Sequence, residues 1–221
     1  MNRILRSTPY GDLVATESSA DGNCFYHSYL QAVEGESFLR SNQHEKVMQL
    51  KKYVANKITP EHVYTMSAPV NFELIKSRID NFLTKNNIKP LEYNSSDFSI
   101  KGYLVELEKV YSTLISSKEF VDHVHKIIHQ YGTQLKQMIG DHGVWANDTT
   151  LPLFCDIMKV DITFISAADL KPIQLVLKKP FEHHLMMLHS VNHFEPLGIQ
   201  SGTTVYRVLS EKSIDKIVKL L

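Results

Sequence analysis

Cysteine is scarce in this chain: Cys24 and Cys155 are the two among 221 residues. That excludes a disulfide-stapled secreted scaffold, which needs cysteine at higher density, and points to a reducing compartment. Net charge is missing as well. Lys plus Arg number 24, and so do Asp plus Glu, giving a formal charge of zero. A chain without surplus positive charge has no global attraction for a polyanion, so a nucleic-acid partner is not expected. No apolar run is long enough to cross a bilayer, and Met1 to Pro9 lack the continuous apolar stretch of a secretory signal. A cytoplasmic protein without a membrane span is the expectation. Internal repeats, low-complexity segments and Cys-x-x-Cys pairs are absent too.

Histidine is plentiful, at 11 residues. His125 and His129 lie four apart, but His125-Lys126-Ile127-Ile128-His129 lacks the glutamate of a zinc-protease helix. His183, His184 and His189 crowd ahead of His193 without a metal-ligand spacing. Neither a metal nor a cofactor is expected.

With 43% hydrophobic residues, the chain can bury one sizeable core, and one domain over 1–221 is the simplest organisation. Residues 1–20 read as an irregular, Ser-rich lead-in. Gly22 and Asn23 form a tight turn, and Cys24 to about Val33 reads as a helix with Phe25, Tyr29, Leu30 and Val33 inward. Glu34-Gly35-Glu36 ends it. Four amphipathic helices follow, at about 43–58, 71–85, 100–115 and 118–139, the last with a break at Gly132. Their inward faces carry Val47, Leu50, Val54 and Ile58, then Phe72, Ile75, Ile79, Phe82 and Leu83, then Tyr103, Leu104, Leu107, Val110, Tyr111 and Leu114. Pro60, Pro69 and Pro90 punctuate the connections, so about 40–140 forms a helical lobe.

Beyond the loop Asp141–Asp148 the pattern changes. Asp148 or Thr149 caps a helix with Pro152 in its first turn, ending near Met158. Val160–Ile165, Ile173–Leu177, His184–Leu188 and Thr203–Val208 read as strands, and Glu211–Leu221 as a terminal helix. Helices first and strands late predict an α+β fold, a small sheet between helical layers.

Cys155 lies in an apolar helical stretch and reads as a buried small hydrophobe. Cys24 is different. It opens a helix, where unsatisfied N–H groups favour negative charge, and a histidine can take its proton. Both devices are expected to lower its pKa. Gly22 lets the backbone turn tightly, so N–H groups around Gly22 and Asn23 can face a developing oxyanion. His193, in Val191-Asn192-His193-Phe194-Glu195-Pro196-Leu197, supplies the imidazole. A third group must hold its ring and set the tautomer. Glu195, two residues on and on the same strand face, Asn192 beside it, and Asp21 are the three candidates.

Asp21-Gly22-Asn23-Cys24-Phe25-Tyr26 resembles the nucleophile loop of ovarian-tumour (OTU) cysteine proteases, in its otubain-like form. Gly143-Val144-Trp145-Ala146-Asn147-Asp148, with Leu151 and Leu153 after it, resembles the family's Trp-containing loop and following helix. Val160–Ile165 resembles its next strand, and Asn192-His193-Phe194-Glu195-Pro196-Leu197 its catalytic-histidine segment. The resemblance implies a papain-like OTU fold with an extended helical arm at about 40–140. It implies a deubiquitinase with Cys24 as nucleophile, His193 as base, and ubiquitin or polyubiquitin as partner. Asp21 and Glu195 fall at supporting catalytic positions, while Trp145 and Asn192 fall at substrate-binding ones. The family usually places Asp or Asn two residues after the histidine; Glu195 here is longer by one methylene. The resemblance extends to bacterial members acting on host ubiquitin, which implies an effector in the host cytoplasm. A catalytically silent ubiquitin-binding module and a protease for a ubiquitin-like modifier are the competing readings.

Overall fold

Expected as an irregular lead-in, the N-terminus instead forms a hairpin of strands β1 (Asn2–Thr8) and β2 (Gly11–Thr16) in the computed structural model. The structure describes residues 2–66, 69–141, 146–147, 149–173, 181, 183–191 and 193–221. The hairpin escapes a sequence reading because its partner is remote. β2 pairs antiparallel with β6 (His193–Ser201), with Leu13 opposite Ile199 and Ala15 opposite Leu197. Burial on that distant strand, rather than local propensity, decides the state of residues 11–16. Gly11, at φ +123°, makes the close approach: an added Cβ would lie 2.4 Å from the Gln200 carbonyl oxygen.

The chain divides into two compact units. One comprises Met1–Val54, Gly140–Ala146 and Phe154–Leu221; the other comprises Ala55–Ile139 and Asn147–Leu153.

The first unit holds the sheet. Besides β1, β2 and β6 it contains β3 (Val160–Ser166), β4 (Pro172–Ile173), β5 (His183–Ser190), β7 (Thr204–Tyr206) and β8 (Val208–Leu209). Among the described residues the order is β1-β2-β6-β5-β3-β4, with β7 on β6 and β8 on β5. The β3–β5 pair is parallel and the others are antiparallel. Residues 174–177 of the expected second strand lie outside the described residues. On one face Leu13, Ala15, Ile165, Met186, Leu188, Leu197 and Ile199 pack with Ile214 and Ile217 of the C-terminal helix, Glu211–Val218. On the other, helix α1 (Cys24–Glu34) packs on β6, and the rings of Phe25, Phe154, Phe164 and Phe194 meet edge to face. A sheet covered by helices, with parallel and antiparallel strands together, is an α+β arrangement.

Helix α1 starts at Cys24 and stops at Gly35, which takes φ +59°. Phe25, Tyr29 and Leu30 are buried as expected, but Val33 is 49% exposed. It lies in the last turn, just before a short helix α2 (Glu36–Leu39) that buries Phe38 instead. Helix α3 (Gln43–Lys57) follows, with Val47, Leu50 and Val54 buried.

The second unit is helical. Pro60 was expected to punctuate a connection; it instead opens helix α4 (Pro60–Thr65), where its missing N–H costs nothing and Thr59 caps. Helices α5 (Pro69–Lys85), α6 (Ile100–Ile115) and α7 (Lys118–Gly140) follow the predicted spans closely. Phe72, Ile75, Ile79, Leu83, Tyr103 and Leu107 are buried. Val110 is not, being 56% exposed, because α6 kinks next to it, where Tyr111 leaves helical geometry (φ −129°, ψ 48°). Helix α7 shows no break at Gly132. Helix α8 (Thr150–Met158) is capped by Asn147, whose Oδ1 accepts from the N–H groups of Thr149 and Thr150 at 3.0 and 3.1 Å. Asn147 thus takes the cap expected of Asp148 or Thr149, and Asp148 lies outside the described residues.

Candidate active site

Gly22 adopts φ +80°, a conformation that side chains disfavour, and this turns the backbone into α1. Asp21 Oδ1 accepts from the Asn23 N–H at 3.1 Å, closing the turn, and Oδ2 lies 3.3 Å from His27 Nε2. Burial pushes the Asp21 carboxyl up, but the Asn23 N–H and the His27 ring outweigh it and hold the group below its ordinary value.

Asn23 precedes the helix without capping it. Its side chain is occupied elsewhere: Oδ1 accepts from Lys51 Nζ at 3.0 Å. Lys51 is fully buried on α3, donates also to the Asp141 carbonyl, and sits 5.1 Å from the Tyr26 ring centre. Burial pulls its pKa down, while the Asp141 and Asp21 carboxylates oppose the shift. A buried ammonium survives only when its donors are satisfied, so this lysine pins the turn ahead of Cys24 to α3. Lys51 is a site residue that the sequence pattern alone does not single out. Its helical position among Val47, Leu50 and Val54, on the inward face, was the available signal.

Cys24 is 4% exposed. Its sulfur lies at the backbone N–H of Phe194, the residue after His193, and near the N–H groups of Phe25 and Cys24 itself. Burial nevertheless pushes the thiol up, and the Asp21 carboxylate adds to this. The direction is opposite to that expected from the helix terminus. The three N–H groups are present, but desolvation of the thiolate outweighs them.

His193 begins β6 and is half-buried. Its Nε2 lies 3.5 Å from Ser18 Oγ, and the same hydroxyl donates to the Phe194 carbonyl at 2.5 Å. Ser28 of α1 donates to that carbonyl too, at 2.8 Å. The helix bearing Cys24 and the strand bearing His193 are therefore joined at Phe194 through both its N–H and its C=O. Glu195 is engaged with Arg3 of β1, Nη2 to Oε2 at 2.7 Å. With His193, Ser190, Leu5 and Leu188 this pair lines a cavity of about 330 Å³. Trp145 and Asn192 lie outside the described residues. The structure thus brings Cys24, Asp21, Gly22 and Asn23 into one turn and sets the His193–Glu195 strand beside it. Among the described residues, no cluster of three metal-ligating side chains occurs and no helix is long and apolar enough to cross a membrane.

The solved structures that the chain resembles include OTU domains. One, an OTU domain in complex with ubiquitin, aligns at 13% identity and a TM-score of 0.48, over 98% of this chain and 91% of that chain. A Legionella pneumophila deubiquitinase aligns at 12% identity and a TM-score of 0.47, over 93% and 84% of the two chains. A Wolbachia pipientis OTU deubiquitinase bound to ubiquitin aligns at 12% identity and a TM-score of 0.37, over 85% and 96%. No protein-family model and no curated protein matches the chain.

Proposed function

We propose that this protein is a cysteine-type deubiquitinase. The observation that carries the reading is the tie between the helix that Cys24 opens and the strand that His193 opens: Ser28 Oγ donates to the Phe194 carbonyl at 2.8 Å, and the Phe25 and Phe194 rings meet with centres 5.6 Å apart. Cys24 attacks the carbonyl carbon of the ubiquitin C-terminal glycine, linked to a lysine ε-amine, and its proton passes to His193. Backbone N–H groups around Gly22, Asn23 and Cys24 receive the oxyanion. Collapse breaks the C–N bond, His193 hands its proton to the leaving amine, and a thioester remains on Cys24. Water, deprotonated by the same ring, then releases ubiquitin and restores the thiol. A thiol held above its ordinary pKa is mostly protonated at rest, so proton transfer accompanies attack. Asp21 acts by closing the turn. Trp145 and Asn192 are assigned to the groove for the Gly-Gly tail on their sequence positions, and the helical stretch at about 40–140 to holding ubiquitin. A host-cytoplasm setting is carried over from the sequence resemblance.

A ubiquitin probe with a C-terminal electrophile tests the reading. Covalent capture by the wild type, lost in Cys24→Ala, is expected; capture that persists in Cys24→Ala would refute it. The burial of Cys24 favours a second reading, ubiquitin binding without turnover. Reversible binding of the probe with no adduct at any pH would select that reading. Parallel probes built on ubiquitin-like modifiers decide which modifier is taken.

A further inference from the structure

We propose that Ser18 is the positioning residue for the His193 ring, in the place expected of a carboxylate or amide two residues after it. This rests on the protease reading for its consequences, but the geometry stands by itself. Strand β2 ends at Thr16, and its register, Ala15 opposite Leu197, carries the next residues along the start of β6. Ser18 therefore arrives beside His193 and Phe194 as a result of the long-range pairing. Its hydroxyl touches both: 2.5 Å to the Phe194 carbonyl oxygen and 3.5 Å to His193 Nε2.

A serine hydroxyl has one proton to give and lone pairs to receive with. A carbonyl oxygen can only accept, so the proton goes to Phe194. What Ser18 then presents to the ring is a lone pair, and the ring answers with an Nε2–H. That assignment leaves Nδ1 unprotonated and available as the base. A separation of 3.5 Å is at the long end for a hydrogen bond; such contacts shorten when substrate closes the site.

Two of the three expected orienters are committed elsewhere. The Glu195 carboxylate is paired with the Arg3 guanidinium at 2.7 Å. The Asp21 carboxylate closes its own turn and faces His27. Asn192 lies outside the described residues. Ser18 also bonds to the peptide that joins α1 to β6. Phe194 presents its N–H to the Cys24 sulfur and its carbonyl to Ser18 and Ser28. A change at Ser18 is thus felt by the ring directly.

The tautomer is read by long-range ¹H–¹⁵N correlation on protein labelled at histidine, with His193 assigned from a His193→Gln spectrum. The expected result is a neutral His193 held as Nε2–H in the wild type and in Ser18→Thr, and mixed tautomers in Ser18→Ala. A wild-type ring protonated at Nδ1, or a Ser18→Ala spectrum identical to wild type, overturns the inference. This readout needs no substrate, so it decides the matter even if the ubiquitin probe shows the protease reading to be wrong. On a fluorogenic ubiquitin C-terminal amide, Ser18→Ala is expected to lower kcat about tenfold or more with KM little changed, and Ser18→Thr to recover most of it. A greater loss in Glu195→Gln than in Ser18→Ala would move the role back to Glu195.

Discussion

At the scale of single residues, the site is governed by competition between burial and backbone N–H groups. Cys24 receives three N–H groups, yet its thiol sits above its ordinary value because it is 4% exposed. The pH profile of alkylation by iodoacetamide should therefore have its midpoint above the value of about 8.5 for a free cysteine. A midpoint below that value would show that a thiolate–imidazolium pair forms at rest. Lys51 is the second consequence of burial. Its Nζ supplies both Asn23 Oδ1 and the Asp141 carbonyl. In Lys51→Met these acceptors lose their donor in a dry site, and destabilisation by about 1–3 kcal/mol is expected in urea unfolding. A fall in kcat should accompany it, because the turn ahead of Cys24 loses its anchor.

At the scale of elements, two glycines make opposite predictions. Gly132 predicts a break, since glycine in a helical pattern lowers the expectation of continuity. Yet α7 runs through it, and an added Cβ would meet Val63 Cγ2 at 3.6 Å, an ordinary contact. Gly132→Ala should raise stability by up to about 1 kcal/mol through the lower backbone entropy of alanine in a helix. Gly11 combines φ +123° with a 2.4 Å approach to the Gln200 carbonyl. Gly11→Ala should destabilise by more than about 1 kcal/mol and loosen the β2–β6 pairing, seen as faster amide exchange at residues 12–15. Helices were legible because their apolar residues recur within one segment, as at Val47, Leu50 and Val54. The hairpin was not, because the strand that buries Leu13 and Ala15 lies some 180 residues further on.

At the scale of the whole molecule, both cysteines shape the alkaline limb of stability. Burial pushes the Cys155 thiol up to about 12, and Cys24 is raised as well. The unfolded chain therefore ionises first as pH rises. Stability is held below the ordinary thiol pKa and falls above it, by up to about 1.4 kcal/mol per pH unit for each group. Cys155→Ala lowers stability at pH 8 through lost packing, but its stability should fall less steeply between pH 9 and 10.5; an unchanged slope in denaturant titrations would contradict this. Two things were settled by the chain locally: a cysteine opening a helix after a tight turn at Gly22, and a histidine set two residues before a carboxylate. Both depend on a few neighbouring residues, and backbone sterics act at that range. The partners of the side chains at and around those two positions were decided by tertiary structure alone. Ser18 reaches His193 because β2 pairs with β6, Lys51 reaches Asn23 across two helices, and Arg3 takes Glu195 through the N-terminal hairpin. Hydrogen bonds and desolvation act between atoms a few ångströms apart, whatever their separation along the chain, so only the folded backbone could choose among them.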